Sequence, residues 1–254
     1  MSFIRSIRIW TLALIVVAAA TSVGLAQDAG ITPQQREQLR DLGQRTKIKA
    51  EEQRNQLRRA KLDLAHVYSA YNLNERKVKT DASRIGAAQI KLLNIHMESQ
   101  IALRQILSET QFQILTKRVE HRRGSMRFSP FHQDRIWDHF PDRGILDGAR
   151  LTPEQHRKLE VLIGPKGDKG KLIQKLKSDS DQIMELYSNY NLDVPAARKL
   201  IESIHDGQSA LANVNNRRQR ALRSVLSEAQ FIQIQGEMAK QVREKRQPKG
   251  RHGD

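Results

Sequence analysis

The sequence predicts an all-α protein built from two tandem, long antiparallel helical hairpins, each flanked by short capped helices. Three observations carry that prediction. An aliphatic residue before a Thr or Ser that is followed three residues later by Gln occurs four times: Ile31-Thr32-Pro33-Gln34-Gln35, Leu107-Ser108-Glu109-Thr110-Gln111, Leu151-Thr152-Pro153-Glu154-Gln155 and Leu226-Ser227-Glu228-Ala229-Gln230. This is the capping box, in which Thr32 with Gln35, Ser108 with Gln111, Thr152 with Gln155 and Ser227 with Gln230 satisfy the orphan amides of a helix start. Between the boxes, Tyr68-Ser69-Ala70-Tyr71-Asn72-Leu73 recurs as Tyr187-Ser188-Asn189-Tyr190-Asn191-Leu192. Thr32 to Thr152 is 120 residues and Tyr68 to Tyr187 is 119, so the chain is a duplication with a nearly constant offset. Finally, apolar residues between these landmarks recur three and four apart, the period of a helix with one buried face.

In the first copy, Thr32 starts a short helix carrying Leu39 and Leu42, and Gly43 permits a bend before a long helix to about Tyr71. Leu57, Ala60, Leu64, Val67 and Tyr71 form its apolar line. Asn72-Leu73-Asn74 reads as a tight turn, with Asn72 tolerating a left-handed helix end and Asn74 capping the return helix. That helix carries Val78, Ala82, Ile85, Gln89, Leu92, Leu103 and Ile106 on one face. Leu107-Ser108 ends it and opens a closing helix to about Val119, with Leu107 stapled onto Phe112 as Leu226 is onto Phe231.

The second copy repeats the pattern with Leu176, Ile183, Leu186 and Tyr190, then Ile201, Ile204, Gln208, Leu211, Leu222 and Val225; Asp193 is the cap and Pro195 falls in the first turn. Gln89 and Gln208 occupy matching places on the apolar face, as a buried polar layer that fixes register does. Gly164-Pro165-Lys166-Gly167-Asp168-Lys169-Gly170 is expected to be a flexible loop between the first two helices of this copy. Long helices of about 26 and 33 residues span about 40 and 50 Å, too long to bury both sides of one hairpin, so each hairpin needs another. The two copies can meet that need as a pseudo-dimeric cradle within one chain, or a homodimer can.

Residues 1–26 read as an export signal: Arg5 and Arg8 give the positive end, Ile9 to Ala20 the apolar run, and Gly24-Leu25-Ala26 a cleavage site after Ala26. The apolar run falls short of the ~20 residues of a membrane span. The chain is therefore expected to be exported and released, with no stable membrane span; an uncleaved anchor is the minor alternative. The domain layout that follows is residues 27–120 for the first repeat, 121–150 for an aromatic and basic linker, 151–242 for the second repeat and 243–254 for a basic, disordered tail. Removing residues 1–26 leaves 42 basic against 28 acidic residues, a net charge near +14. There is no Cys, which excludes disulfides, thiolate metal sites and Cys nucleophiles. With 38% apolar and 5% aromatic residues, thin hairpins sharing their apolar faces fit better than a thick core.

No Ser/His/acid set has a recognisable context and no Gly-rich phosphate loop follows a strand, so the chain is not expected to be an enzyme or to carry a cofactor. His132 and His139, with Asp134, Asp138 and Asp142 nearby, are the weak metal-binding alternative. A polar linker with scattered histidines is preferred, because no His-x-x-x-His or His-x-His pair supports a site. The basic surface says more. Arg54, Arg58 and Lys61 make a stripe on the first long helix; Arg104 lies on its return helix, Lys177 on the outgoing helix of the second copy, and Arg217, Arg218, Arg220 and Arg223 crowd its return helix. Any one of these can be plain solvated surface, but together they create a field that draws in anionic partners. Their stems also cover apolar surface, so such a face can hold greasy and acidic segments together. Nucleic acid is not the expected partner, for want of a recognised motif and of stacking aromatics outside the linker.

The paired Leu-Thr-x-x-Gln pattern resembles that of the periplasmic Spy/CpxP-like family. Leu151-Thr152-Pro153-Glu154-Gln155 matches its motif outright and the other three boxes match with conservative changes. The resemblance implies a periplasmic, ATP-independent chaperone or envelope-stress protein that binds unfolded or misfolded envelope proteins on a basic, partly apolar helical face. Arg54, Arg58, Lys61, Arg104, Lys177, Arg217 and Arg220 are the candidates for client capture. It also implies an alternative, a sensor or buffer of zinc, nickel or cobalt, as in a related branch. The chain departs from the family in its two copies and in the Gly-Pro-Lys-Gly loop.

Overall fold

The computed structural model describes residues 30–122, 141, 143–163 and 166–246. Among them every regular element is an α-helix and there is no strand, as the sequence predicts. The helices are α1 (Pro33–Ser69), α2 (Glu75–Ile106), α3 (Glu109–Arg122), α4 (Arg143–Gly148), α5 (Pro153–Ile163), α6 (Lys166–Ser188), α7 (Val194–Val225) and α8 (Glu228–Arg246). The long elements pack in the order α1, α2, α7, α6, with the return helices α2 and α7 side by side at the centre.

Several boundaries differ from the sequence reading. α1 is one continuous helix of 37 residues, unbroken at Gly43, which is buried within it. A glycine within a helix costs about 1 kcal/mol relative to Ala. Here the buried apolar line from Leu39 through Ala50, Ala60 and Leu64 runs straight through it, and that packing outweighs the local preference. Residues 166–170, expected in a loop, are the first turns of α6. α3 and α8 run to Arg122 and Arg246, past the expected ends of the two repeats, and α4 lies within the expected linker. The export segment, most of the linker and residues 247–254 lie outside the described residues.

Both hairpin turns also depart from expectation. α1 ends through Ala70 in extended conformation (φ −82°, ψ 142°), and neither Asn72 nor Asn191 has positive φ. A left-handed residue serves to satisfy the last carbonyls of a helix, and here an arginine from the other repeat does so instead. The return helices start as predicted: the Asn74 and Asp193 side chains accept from the Lys77 and Ala196 amides at 3.0 and 2.9 Å. Positive φ occurs instead at Gly30 (62°) and Arg150 (52°), matched positions just ahead of the two Thr caps.

Four apolar clusters divide symmetrically. At one end Ile31, Leu39, Leu103, Leu107, Phe112 and Leu115 pack together, and at the other Leu159, Leu222, Leu226, Phe231 and Ile234 do the same, joined by Ile145 of α4. Both predicted staples, Leu107 with Phe112 and Leu226 with Phe231, lie within these clusters. The two central clusters are shared between repeats: Ala212 of α7 packs with Leu64, Val78 and Ile85, whereas Met97 of α2 packs with Leu176, Ile183 and Tyr187. Gly86 and His205, 119 residues apart, face each other where α2 crosses α7. A Cβ on Gly86 would stand 3.1 Å from His205 Cε1. Because these are equivalent residues, the local twofold relating the repeats passes between them. Gly207 also packs closely: a Cβ there would come within 2.6 Å of Leu176 Cδ2, so that buried side chain would have to shift.

Polar clips pin each hairpin internally. Arg84 Nη1 reaches Asp63 and Asp81 at 2.9 Å each, joining α1 to α2. In the second repeat Asp179 Oδ2 accepts from Lys175 Nζ and Ser203 Oγ at 2.8 Å each, joining α6 to α7.

Candidate functional site

The four capping boxes form, and they do more than cap. The Thr32 and Gln35 amides bond the partner side chain of their box at 3.0 and 3.1 Å, and the Ser108, Thr152 and Ser227 boxes close in the same reciprocal way. Each Gln then uses its NH2 group across the repeat. Gln35 Nε2 donates to Ile106 O at 2.8 Å and to Gln111 Oε1 at 3.0 Å, while Gln111 Nε2 donates to Gly30 O at 2.8 Å. Gln155 Nε2 donates to Val225 O and to Gln230 Oε1, both at 2.9 Å. A Glu can close a capping box, but only an amide can accept from its own cap and donate to the facing helix at once. The recurrence of Gln rather than Glu in all four boxes is the sequence signal of this pairing.

Arg104 sits in a structural role. Its Nε donates to Tyr190 O at 2.8 Å and its Nη2 to Tyr187 O at 2.8 Å, while Nη1 holds Gln100 O and Oε1 at 2.7 and 3.0 Å. A further bond from Nε reaches Asn189 O at 3.1 Å, and the guanidinium lies 4.5 Å from the Phe112 ring centroid. Arg223, 119 residues on, mirrors this: Nη2 donates to Tyr68 O and Ala70 O at 2.7 Å each, Nη1 holds Gln219, and Phe231 lies 4.5 Å below. Each arginine thus caps the last turn of the opposite repeat's outgoing helix, where the helix dipole favours a cation. Tyr190 and Tyr71 return the contact, their hydroxyls donating to Leu107 O at 3.0 Å and Leu226 O at 2.9 Å. Burial lowers both guanidinium pKa values to about 10, so both stay charged at neutral pH. With its donors committed to carbonyls, Arg104 is not available as an outward client contact. That commitment was not legible in the sequence, because the carbonyls of the second repeat that it bonds lie 83 to 86 residues away.

The remaining capture candidates divide into groups. Arg54, Arg58 and Lys61 share one flank of α1, with Arg58 exposed and bonded to Asn55 Oδ1 at 3.2 Å. Arg54 is half-buried, and that burial lowers its pKa against the opposing pull of Glu51. Because α1 is unbroken, Arg36, Arg40 and Lys47 fall in line with them. The six lie within about 60° of arc and span about 38 Å of helix. Lys177 is exposed on α6, and Arg217 and Arg220 are exposed on α7. Arg220 holds Glu75 of α2 with both ends of its fork at 2.6 Å. That bond lowers the Glu75 pKa and partly neutralises Arg220 as a capture group.

Aliphatic side chains stand out on α1 and on helices without these cations: Ile48 and Leu62 of α1 are 60% and 63% exposed, Val161 of α5 79% and Ile232 of α8 61%. The large apolar side chains exposed among the described residues are all aliphatic. Gln89 is buried as expected, and Gln208 is half-buried with Oε1 lacking a partner. His132 and His139 lie outside the described residues; among those described, no group of three or more His, Asp or Glu side chains is placed to hold a metal ion. No helix among them is long and apolar enough to cross a membrane. Comparison with protein-family models, with curated proteins and with solved structures gives no match to this chain.

Proposed function

We propose that this chain is an exported, nucleotide-independent chaperone of the periplasm, of the Spy/CpxP-like kind, that binds non-native envelope polypeptides. The observation that carries the reading is exposed aliphatic side chains set among cations on uncovered helix faces. Leu62, 63% exposed, follows exposed Arg58 and Arg59 by one helical turn, in a chain whose net charge is +16. An unfolded segment presents aliphatic groups and carboxylates in no fixed geometry. A face of this kind meets both at once, through loose apolar contact and long-range attraction. Rigidity supports the reading too. The caps, Gln pairs and arginine contacts hold the helices, so the binding face costs little ordering when a client arrives.

The test is light scattering of an unfolding client with and without the protein from Gln27 onward, free of nucleotide, at low and high salt. Suppression that weakens with salt is expected. Unchanged aggregation at several-fold excess of the protein would end the chaperone reading.

A further inference from the structure

We infer that client capture is one-sided: the flank of α1 from Arg36 to Lys61 takes an extended acidic polypeptide segment, and the matching surface of the second repeat does not. This deepens the proposed function and rests on it. Arg36, Arg40, Lys47, Arg54, Arg58 and Lys61 follow one another at steps of four, seven, seven, four and three residues, all helical repeats of one face. Glu51 is the acid at the edge of this line, on the side of α1 that also carries Ile48 and Leu62. Of the six, Arg40, Lys47 and Arg58 are exposed and Arg36, Arg54 and Lys61 half-buried, so their stems lie along the helix with the charged ends toward one side.

Duplication supplies the internal comparison. Arg36 and Arg40 correspond, 120 residues on, to His156 and Glu160; Arg54, Arg58 and Lys61 correspond, 119 on, to Ile173, Lys177 and Ser180. Lys47 falls where the offset changes from 120 to 119, opposite Gly167 or Lys166, and the other five cations face one cation and one acid at matched places on the same scaffold. The end clusters of the two hairpins match residue for residue at Leu39, Leu103, Leu107, Phe112 and Leu115 against Leu159, Leu222, Leu226, Phe231 and Ile234, so the cations differ on a shared scaffold.

The chemistry of the partner follows from the shape and surroundings of the line. About 38 Å matches about eleven residues of extended chain at 3.4 Å each. A lipid surface is a poor match, because Glu37, Asp41, Glu51 and Glu52 project from the adjoining outward face of α1 and would be pressed against anionic headgroups. Single-stranded nucleic acid uses aromatic platforms, and the large apolar groups exposed among the described residues, Ile48 and Leu62 included, are aliphatic. An extended peptide alternating carboxylate and aliphatic side chains meets both the cations and Leu62.

The experiment measures binding by the full mature chain of a fluorescent twelve-residue peptide of alternating Asp and Val, by anisotropy at two salt concentrations. A variant combining Arg36→Gln, Arg40→Gln, Lys47→Gln and Arg58→Gln is compared with Lys171→Gln, Lys177→Gln, Arg198→Gln and Lys199→Gln in the second repeat, which removes the same charge. The expected result is a loss of about tenfold or more for the first set and less than about twofold for the second. Equal losses would mean that only the overall charge matters and would overturn the one-sided assignment. Tighter binding of an oligonucleotide of equal charge would overturn the choice of partner. Aggregation suppression by the unsubstituted protein is read in parallel. Its survival alongside equal losses discards this inference alone, and its absence discards the chaperone reading whatever the peptide does. Circular dichroism of both variants confirms that each is folded.

Discussion

Replacing Arg104 with Ala removes the group that ties the first repeat to the end of α6, and the structure allows its cost to be worked out. Three carbonyls of the second repeat lose a charged donor: Tyr187 O, Asn189 O and Tyr190 O. The Asn189 bonds are exposed and water replaces them at little cost, whereas those to Tyr187 and Tyr190 are part-buried. Tyr190 O keeps the Leu192 amide at 3.0 Å, so Tyr187 O is the part-buried carbonyl left without a donor; that costs about 1–2 kcal/mol, and loss of the cation over Phe112 adds about 1 kcal/mol. Relief of the burial that lowers the Arg104 pKa offsets part of this. A net loss of about 2 kcal/mol follows, read as the fall in unfolding free energy in urea at unchanged slope. Arg104→Lys keeps the charge but not the fork and should recover less than half of it. Arg223→Ala should cost a similar amount, and the double variant the sum to within about 0.5 kcal/mol, because the contacts lie at opposite ends of the paired return helices. If Arg104→Ala and Arg104→Lys both stay within about 0.5 kcal/mol of the unsubstituted protein, the two repeats are not joined through these arginines.

Three further outcomes follow from the same geometry. Gln35→Glu keeps an acceptor for the Thr32 amide but turns a carboxylate oxygen toward Ile106 O, now 2.8 Å from Nε2, and should lower stability by about 2 kcal/mol in thermal or chemical denaturation; an unchanged value would mean that capping alone explains the Gln. Tyr68 and Tyr187 are matched positions, but Tyr68 donates to Asn216 while Tyr187, with Met97 where the other repeat has Asn216, has a buried hydroxyl without a partner. Tyr68→Phe should therefore destabilise by about 1 kcal/mol and Tyr187→Phe should be neutral or stabilising, and the opposite order in urea melts would contradict the asymmetry. The Arg220 bond holds the folded Glu75 pKa below its ordinary value of 4.5, so the stability it adds is present above that value and lost as pH falls through the folded pKa. Both side chains are half-exposed or more, so the loss is a few tenths of a kcal/mol, and Arg220→Gln should abolish that part of the acid dependence.

The sequence alone determined the all-α class, the duplication, the helix starts and the staples, because each depends on residues within about one helical turn of each other. Thr32 and Gln35 meet whatever the rest of the chain does, and the line from Leu57 to Val67 marks a buried face without saying against what. It misjudged elements where local preference and packing disagree. Gly43 read as a bend and Gly167 and Gly170 as part of a loop, but α1 runs through the first and α6, beginning at Lys166, includes the other two. Asn72 read as a left-handed end, but the carbonyls it would have helped satisfy are taken by Arg223, 153 residues beyond Ala70. The same long-range exchange moved Arg104 from the capture surface to the joint between repeats, and an unbroken α1 brought Arg36, Arg40 and Lys47 into line with Arg54, Arg58 and Lys61. Only tertiary structure decided these matters, because a helix fixes which side chains share a face but not which face another helix covers. A cation becomes a joint or a binding group according to whether a carbonyl or water lies opposite.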